Sequence, residues 1–176
     1  MTNWTRASSW LLFITVVAII GCRLPGGSAI SITPHPAPAW ELKDVEGKSI
    51  ASSNYAGKVV LVTFWATWCP PCKLEVPGLI GLQKKYEKSG FTVLGISLDE
   101  GGASVVKPFL KDYGINYPVV LGDEKITGDF GGVEAIPKTF VIDRQGTVVA
   151  GFLGLTSEAD LEKSIGPLLG TNVIVK

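Results

Sequence analysis

The sequence predicts an α/β fold with a mixed central β-sheet flanked by helices. Three observations carry that prediction. Apolar, β-branched runs alternate with helical patterns between residues 59 and 130. A hairpin pattern and a closing helix follow between residues 138 and 169. The run Val59-Val60-Leu61-Val62-Thr63-Phe64-Trp65 leads through Ala66-Thr67 into Trp68-Cys69-Pro70-Pro71-Cys72, where a helical pattern begins at once.

The chain has 176 residues and equal numbers of acidic and basic side chains, 16 of each. One domain is the default at this length, and a net charge of zero gives no footprint for nucleic acid. The start reads as a secretory signal: Arg6 supplies the positive charge, and Trp10 to Ile20 form an uncharged, mostly apolar run. That run is too short to span a bilayer core, which needs about 20 residues. It ends Ile19-Ile20-Gly21-Cys22, which resembles a bacterial lipobox, where the cysteine is lipidated and becomes the new N-terminus. An uncleaved anchor and a soluble secreted form are the alternatives. Each places the domain outside the cytoplasm.

Residues 1–21 are therefore expected to be a lipoprotein signal and 22–39 a lipid-anchored tether, with the domain at 40–176. The tether carries Pro25, Gly26, Gly27, Pro34, Pro36 and Pro38 and no sustained hydrophobic period. His35, alone among prolines, is given no role. Trp40 to Val45 alternates apolar and polar, Glu46-Gly47-Lys48 turns, and Ser49 to Ala51 returns, which predicts a β-hairpin at the domain entrance. The strand Val59–Trp65 follows.

After Cys72, the side chains Val76, Leu79, Ile80 and Tyr86 lie near a 3.6-residue spacing, and Ser89-Gly90 ends the helix. Pro77 is expected to kink it, because its missing N–H cannot bond the Lys73 carbonyl. Phe91 to Leu98 is a second buried strand, Val105 to Tyr113 a helix containing Pro108, and Tyr117 to Leu121 a third strand. A weaker helix spans Lys125 to Phe130. Lys138 to Asp143 and Thr147 to Leu153 pair across Arg144-Gln145-Gly146. Ser157 caps the last helix, Glu158 to Leu169, whose first turn holds Glu158 and Asp160.

The chemistry is expected at Cys69 and Cys72. Pro71 at the first helical position loses no intrahelical bond, and Cys69 then stands at the positive end of the helix dipole. The dipole and the backbone N–H groups beside Cys69, which have no intrahelical partner, both favour the reactive thiolate. Competing readings of a CxxC pair are weak. Zinc needs four ligands, and the chain adds only Cys22 and His35. A c-type haem site would have histidine where Lys73 stands. An inert disulfide closing so short a loop would constrain the unfolded chain little.

Phe64-Trp65-Ala66-x-Trp68-Cys69-x-Pro71-Cys72 resembles the thioredoxin superfamily active site. Lys73-Leu74-Glu75-Val76-Pro77 and Ile136-Pro137-Lys138-Thr139-Phe140-Val141-Ile142-Asp143 are similar to the TlpA- and ResA-like thiol-disulfide oxidoreductases of the AhpC/TSA-redoxin branch. The resemblance covers roughly residues 40 to 170. It implies a thioredoxin-like fold with an N-terminal hairpin and a central insertion formed by the helix from Val105 and the strand from Tyr117.

It further implies a redox-active Cys69–Cys72 disulfide, with Cys69 the nucleophile and Cys72 the resolving thiol. Pro137 would follow a cis bond facing the pair, leaving the Ile136 backbone to orient an extended partner segment beside Trp68 and Pro70. Thioredoxin proper has a buried aspartate where this chain has Thr63. Glu75, three residues after Cys72, would take over proton handling; a solvated glutamate is the plain alternative. Trp65 would shape the turn, and Lys73 is most simply solvated.

The implied activity is exchange with oxidised extracytoplasmic protein thiols, as a reductant, for instance of apocytochrome c cysteines. A membrane thiol reductase would supply electrons, and no cofactor beyond the cysteine pair is expected. A peroxiredoxin would carry threonine three residues before its cysteine, where Ala66 stands. A copper-delivery module would need a histidine after His35, and none occurs.

Overall fold

The computed structural model describes residues 27–170. The signal run and Cys22 lie outside these residues, as do positions 171–176. Within them, nine strands form one mixed sheet in the order β1-β9-β8-β5-β6-β7-β3-β4, with β2 also beside β9. The strands are β1 (Ser28–Ile30), β2 (His35–Pro36), β3 (Glu41–Asp44), β4 (Ser49–Ala51), β5 (Val59–Trp65), β6 (Phe91–Ser97), β7 (Val119–Leu121), β8 (Lys138–Ile142) and β9 (Thr147–Leu153). Four helices accompany them: α1 (Pro70–Tyr86), α2 (Ala103–Asp112), α3 (Glu124–Asp129) and α4 (Glu158–Ile165).

β5, β6 and β7 run parallel; β8 and β9 continue the sheet antiparallel on one side, and the β3–β4 hairpin does so on the other. Every residue of β5 and β6 is buried, as strands covered on both faces require. The period of two then sorts them. Val59, Leu61, Trp65, Phe91 and Val93 share a core with Val76, Leu79, Leu82, Leu161 and Ile165 of α1 and α4. Val60, Val62, Phe64, Leu94 and Ile96 pack on the opposite face with Ile126 of α3, Phe130 and Phe140. This is a thioredoxin-like arrangement.

Three sequence expectations change. The segment read as a tether is not wholly one: Ser28–Ile30 and His35–Pro36 pair with β9 at the sheet edge. An edge strand tolerates proline because one side of its backbone needs no ladder partner. Helix α1 starts one residue early, with Cys69 as N-cap and Pro70 and Pro71 at its first two positions. Both lack only N–H groups that have no intrahelical acceptor. The last helix stops at Ile165, and Gly166–Leu169 tightens into a 3₁₀ turn. Ser157 caps it through the Asp160 N–H at 3.2 Å.

Candidate active site

The carboxyl ends of β5 and β6 and the start of β8 meet at one end of the sheet, the position where open α/β sheets place their sites. There β5 delivers Cys69 and Cys72, which are closed into a disulfide with an S–S distance of 2.06 Å. Cys69 Sγ accepts the Cys72 N–H at 3.3 Å, so the sulfur sits against the amino end of α1. Such a place stabilises a thiolate when the bond opens.

Exposure does not separate the two cysteines, contrary to the expectation that Cys69 is open and Cys72 enclosed: their relative exposures are 2% and 3%. Contact does separate them. Cys69 Sγ lies 3.8 Å from the Ile136 carbonyl oxygen, and the Ile136–Pro137 bond is cis. Pro137 is buried and its carbonyl accepts the Gly154 N–H at 2.8 Å. Trp68 is 65% exposed beside the pair, Pro70 is exposed, and Leu74 on the first turns of α1 is 68% exposed.

Glu75 is buried. Its Oε1 accepts the Thr156 N–H at 2.6 Å. Burial pushes its pKa up from the ordinary 4.5 to about 7, against the pull of the Thr156 N–H, which favours the charged form. A carboxyl that exchanges its proton near neutrality, three residues along α1 from Cys72, can serve a thiol in proton transfer. Thr63, where thioredoxin has its aspartate, accepts the Thr139 hydroxyl at 3.1 Å and carries no charge.

Four contributors escaped the sequence reading. Thr156 holds Glu75. Asp99, just beyond β6, accepts the Thr67 N–H at 3.0 Å, the Thr67 hydroxyl at 2.6 Å and the Ser97 hydroxyl at 2.9 Å, fixing the loop before Trp68. Its place after a buried parallel strand was the available signal. Tyr117 is buried, and its phenol is driven far above its usual range by burial and then by the charge of Glu75. Gly95 leaves room for the Trp65 indole: a Cβ there would stand 2.9 Å from Nε1. Trp65 packs on Phe109 with ring centroids 5.0 Å apart.

A shallow groove of about 420 Å³ runs beside the turn between Thr67, Trp68, Leu98, Asp99, Glu100 and Val105. A second cleft of about 280 Å³, lined by Trp40, Tyr55, Lys58, Val60, Ile142 and Arg144, opens at the far end of the sheet, away from the cysteines. Among the described residues no three His, Cys, Asp or Glu side chains cluster as a metal site. No helix there is long and apolar enough to cross a membrane.

The AhpC/TSA family profile matches residues 33–150. The chain belongs to the AhpC/TSA family. Within the family it is similar to the thiol-disulfide oxidoreductase ResA of Bacillus thuringiensis (strain Al Hakam), with 37% identity over 127 residues and 72% of each chain covered. ResA of Bacillus subtilis (strain 168) is 37% identical over 123 residues, 70% of this chain and 68% of that one. Among solved structures, a thiol:disulfide interchange protein of the thioredoxin family from Chlorobium tepidum TLS superposes with a TM-score of 0.72 at 37% identity. It covers 80% of this chain and all of its own. A DsbF homologue from Corynebacterium diphtheriae gives 0.73 at 29% identity, covering 83% of this chain and 97% of its own. This AhpC/TSA protein is a thiol-disulfide oxidoreductase.

Proposed function

We propose that the chain is a membrane-tethered reductant of protein disulfides outside the cytoplasm, acting through Cys69 and Cys72. The observation that carries this reading is the disulfide capping α1, with Cys69 Sγ 3.8 Å from the Ile136 carbonyl and Trp68 exposed beside it. In the reduced form, the Cys69 thiolate attacks a substrate disulfide sulfur and releases the first substrate thiolate. Cys72 then attacks Cys69 Sγ, closes the pair and releases the second substrate thiol. Two electrons pass from the pair to the substrate.

Glu75 exchanges the proton of the resolving thiol. The Ile136 backbone and Pro137 align an extended substrate segment, and Trp68 and Pro70 give it an apolar contact. No cofactor besides the cysteine pair takes part. Cys22 carries the lipid anchor, apocytochrome c cysteines are a fitting substrate, and a membrane thiol reductase restores the dithiol. The test is a redox titration of the domain together with reduction of a disulfide-closed CxxCH peptide. A potential near −270 mV with peptide turnover is the expected outcome; a value near −120 mV would make the protein a disulfide donor instead.

A further inference from the structure

The cleft of about 280 Å³ at the far end of the sheet has an apolar floor and two walls that the backbone holds in place. Val60 and Val62 of β5, Leu94 of β6 and Ile142 of β8 form the floor, and all four are buried. One wall is aromatic: Trp40 and Tyr55 stand with ring centroids 6.0 Å apart and planes tilted by 37°. The Trp40 N–H donates to Ser52 Oγ at 3.2 Å, and the Ser52 N–H donates to the Trp40 carbonyl at 2.9 Å. Trp40 is thereby fastened to the 3₁₀ turn Ser52–Tyr55 that carries its partner ring. The other wall is the turn between β8 and β9, tied by the Ala37 N–H to the Gly146 carbonyl at 2.8 Å. A cleft so held is formed before a ligand arrives, as small-molecule sites usually are.

Its lining is positively charged. The Arg144 guanidinium donates to the Ser89 carbonyl at 2.8 Å and the Gly57 carbonyl at 3.3 Å, which fixes its place. Gly90 leaves the room for it: a Cβ there would stand 2.8 Å from Arg144 Nη1. Lys58 is exposed beside the aromatic wall, its N–H on the Tyr55 carbonyl at 3.1 Å. Among the described residues no carboxylate pairs with either cation. Asp143, the one acid on the lining, has its Oδ1 engaged by the N–H groups of Gln145 and Thr147 at 2.9 and 2.8 Å. Tyr55 adds no negative charge, because burial pushes its phenol above the usual range.

We propose that this cleft is a second ligand site, separate from the redox turn, for a small aromatic carboxylate. Its ring lies between Trp40, Tyr55 and the strand floor, and its carboxylate faces Lys58 and Arg144. Apolar floor and cationic lining together select an amphipathic anion: the ring gains with the area removed from water, and the anionic head gains from the two cations. A cation or a sugar would gain neither. The volume equals that of roughly nine waters, which a two-ring arene fills. The site depends neither on the direction of electron flow at Cys69–Cys72 nor on an anchor.

The test titrates 2-naphthoate into the full oxidised chain. The amide NMR signals of Tyr55, Lys58 and Arg144 should shift saturably, with a Kd of roughly 0.1 mM. The neutral isostere 2-naphthamide should bind roughly fivefold more weakly. Lys58→Met should weaken naphthoate about threefold and leave the amide unchanged. Ala56→Trp, at an exposed lining position, should fill the cleft and abolish binding; Gln145→Trp closes it from the other wall should the first variant not fold. A titration that stays flat to about 5 mM, or shifts confined to the surroundings of Trp68, overturns the site. Equal affinity for amide and carboxylate, or no effect of Lys58→Met, overturns the ligand class. Binding that survives closure of the cleft overturns its location.

Discussion

The Thr156 N–H donates to Glu75 Oε1 at 2.6 Å across 81 residues of sequence, and it is the contact that holds a carboxyl inside the core beside the cysteines. Because burial outweighs this hydrogen bond, the folded Glu75 keeps its proton to about pH 7, whereas the unfolded chain releases it near 4.5. The stability linked to that proton is therefore complete below pH 4.5 and is lost as pH rises through 7. Glu75→Gln, which keeps an acceptor for Thr156, should remove the loss. Thermal melts are expected to give the variant an advantage of order 3 kcal/mol at pH 8 that closes by pH 4. The same substitution should remove an inflection near pH 7 from the pH profile of thiol exchange. Parallel melting curves across that range would exclude a titrating Glu75.

Cys69 and Cys72 should fail differently. Cys69→Ser is expected to abolish turnover of a peptide disulfide. Cys72→Ser should instead accumulate a mixed disulfide between Cys69 and the peptide, seen as an adduct in intact-mass spectra. An adduct on Cys72 in the Cys69→Ser chain would reverse the order of the pair.

Trp68 is exposed, so Trp68→Ala should change unfolding free energy by no more than about 0.5 kcal/mol. Its loss as an apolar contact should weaken KM for an extended peptide disulfide roughly tenfold. A small disulfide such as hydroxyethyl disulfide should react at an unchanged rate. Equal losses on both substrates would point to damage in the turn itself.

Asp99→Ala would strand the Thr67 N–H and the hydroxyls of Thr67 and Ser97. The expected cost is roughly 1–3 kcal/mol in urea denaturation, with slower exchange at Cys69. Asp99→Asn, which still offers one acceptor oxygen, should recover part of both.

At Gly95 the space is already taken by Trp65, with Val119 Cγ2 3.1 Å from a would-be Cβ. Gly95→Ala should cost roughly 1–3 kcal/mol through overpacking. Urea denaturation would measure it, and an unchanged midpoint would mean that the indole has room to move.

Much of this protein is local, and local features are readable from sequence. The apolar run Val59–Trp65 specifies a strand, the prolines after Cys69 specify a helix start, and Ser157 with Asp160 specifies another, because each depends on residues within one turn of each other. What the tertiary structure decided is what joins distant residues. Composition marked residues 27–36 as linker, yet a sheet edge accepts them. Spacing placed Glu75 on the helix face of Cys72, but its burial and raised pKa come from a core built by α1, β9 and the Thr156 loop. Cys69 is at a helix start by sequence; that it is nearly enclosed and touches Ile136 follows only from β8 lying antiparallel beside β5. Periodicity and capping act over a few residues, whereas desolvation and strand order are set by the whole fold.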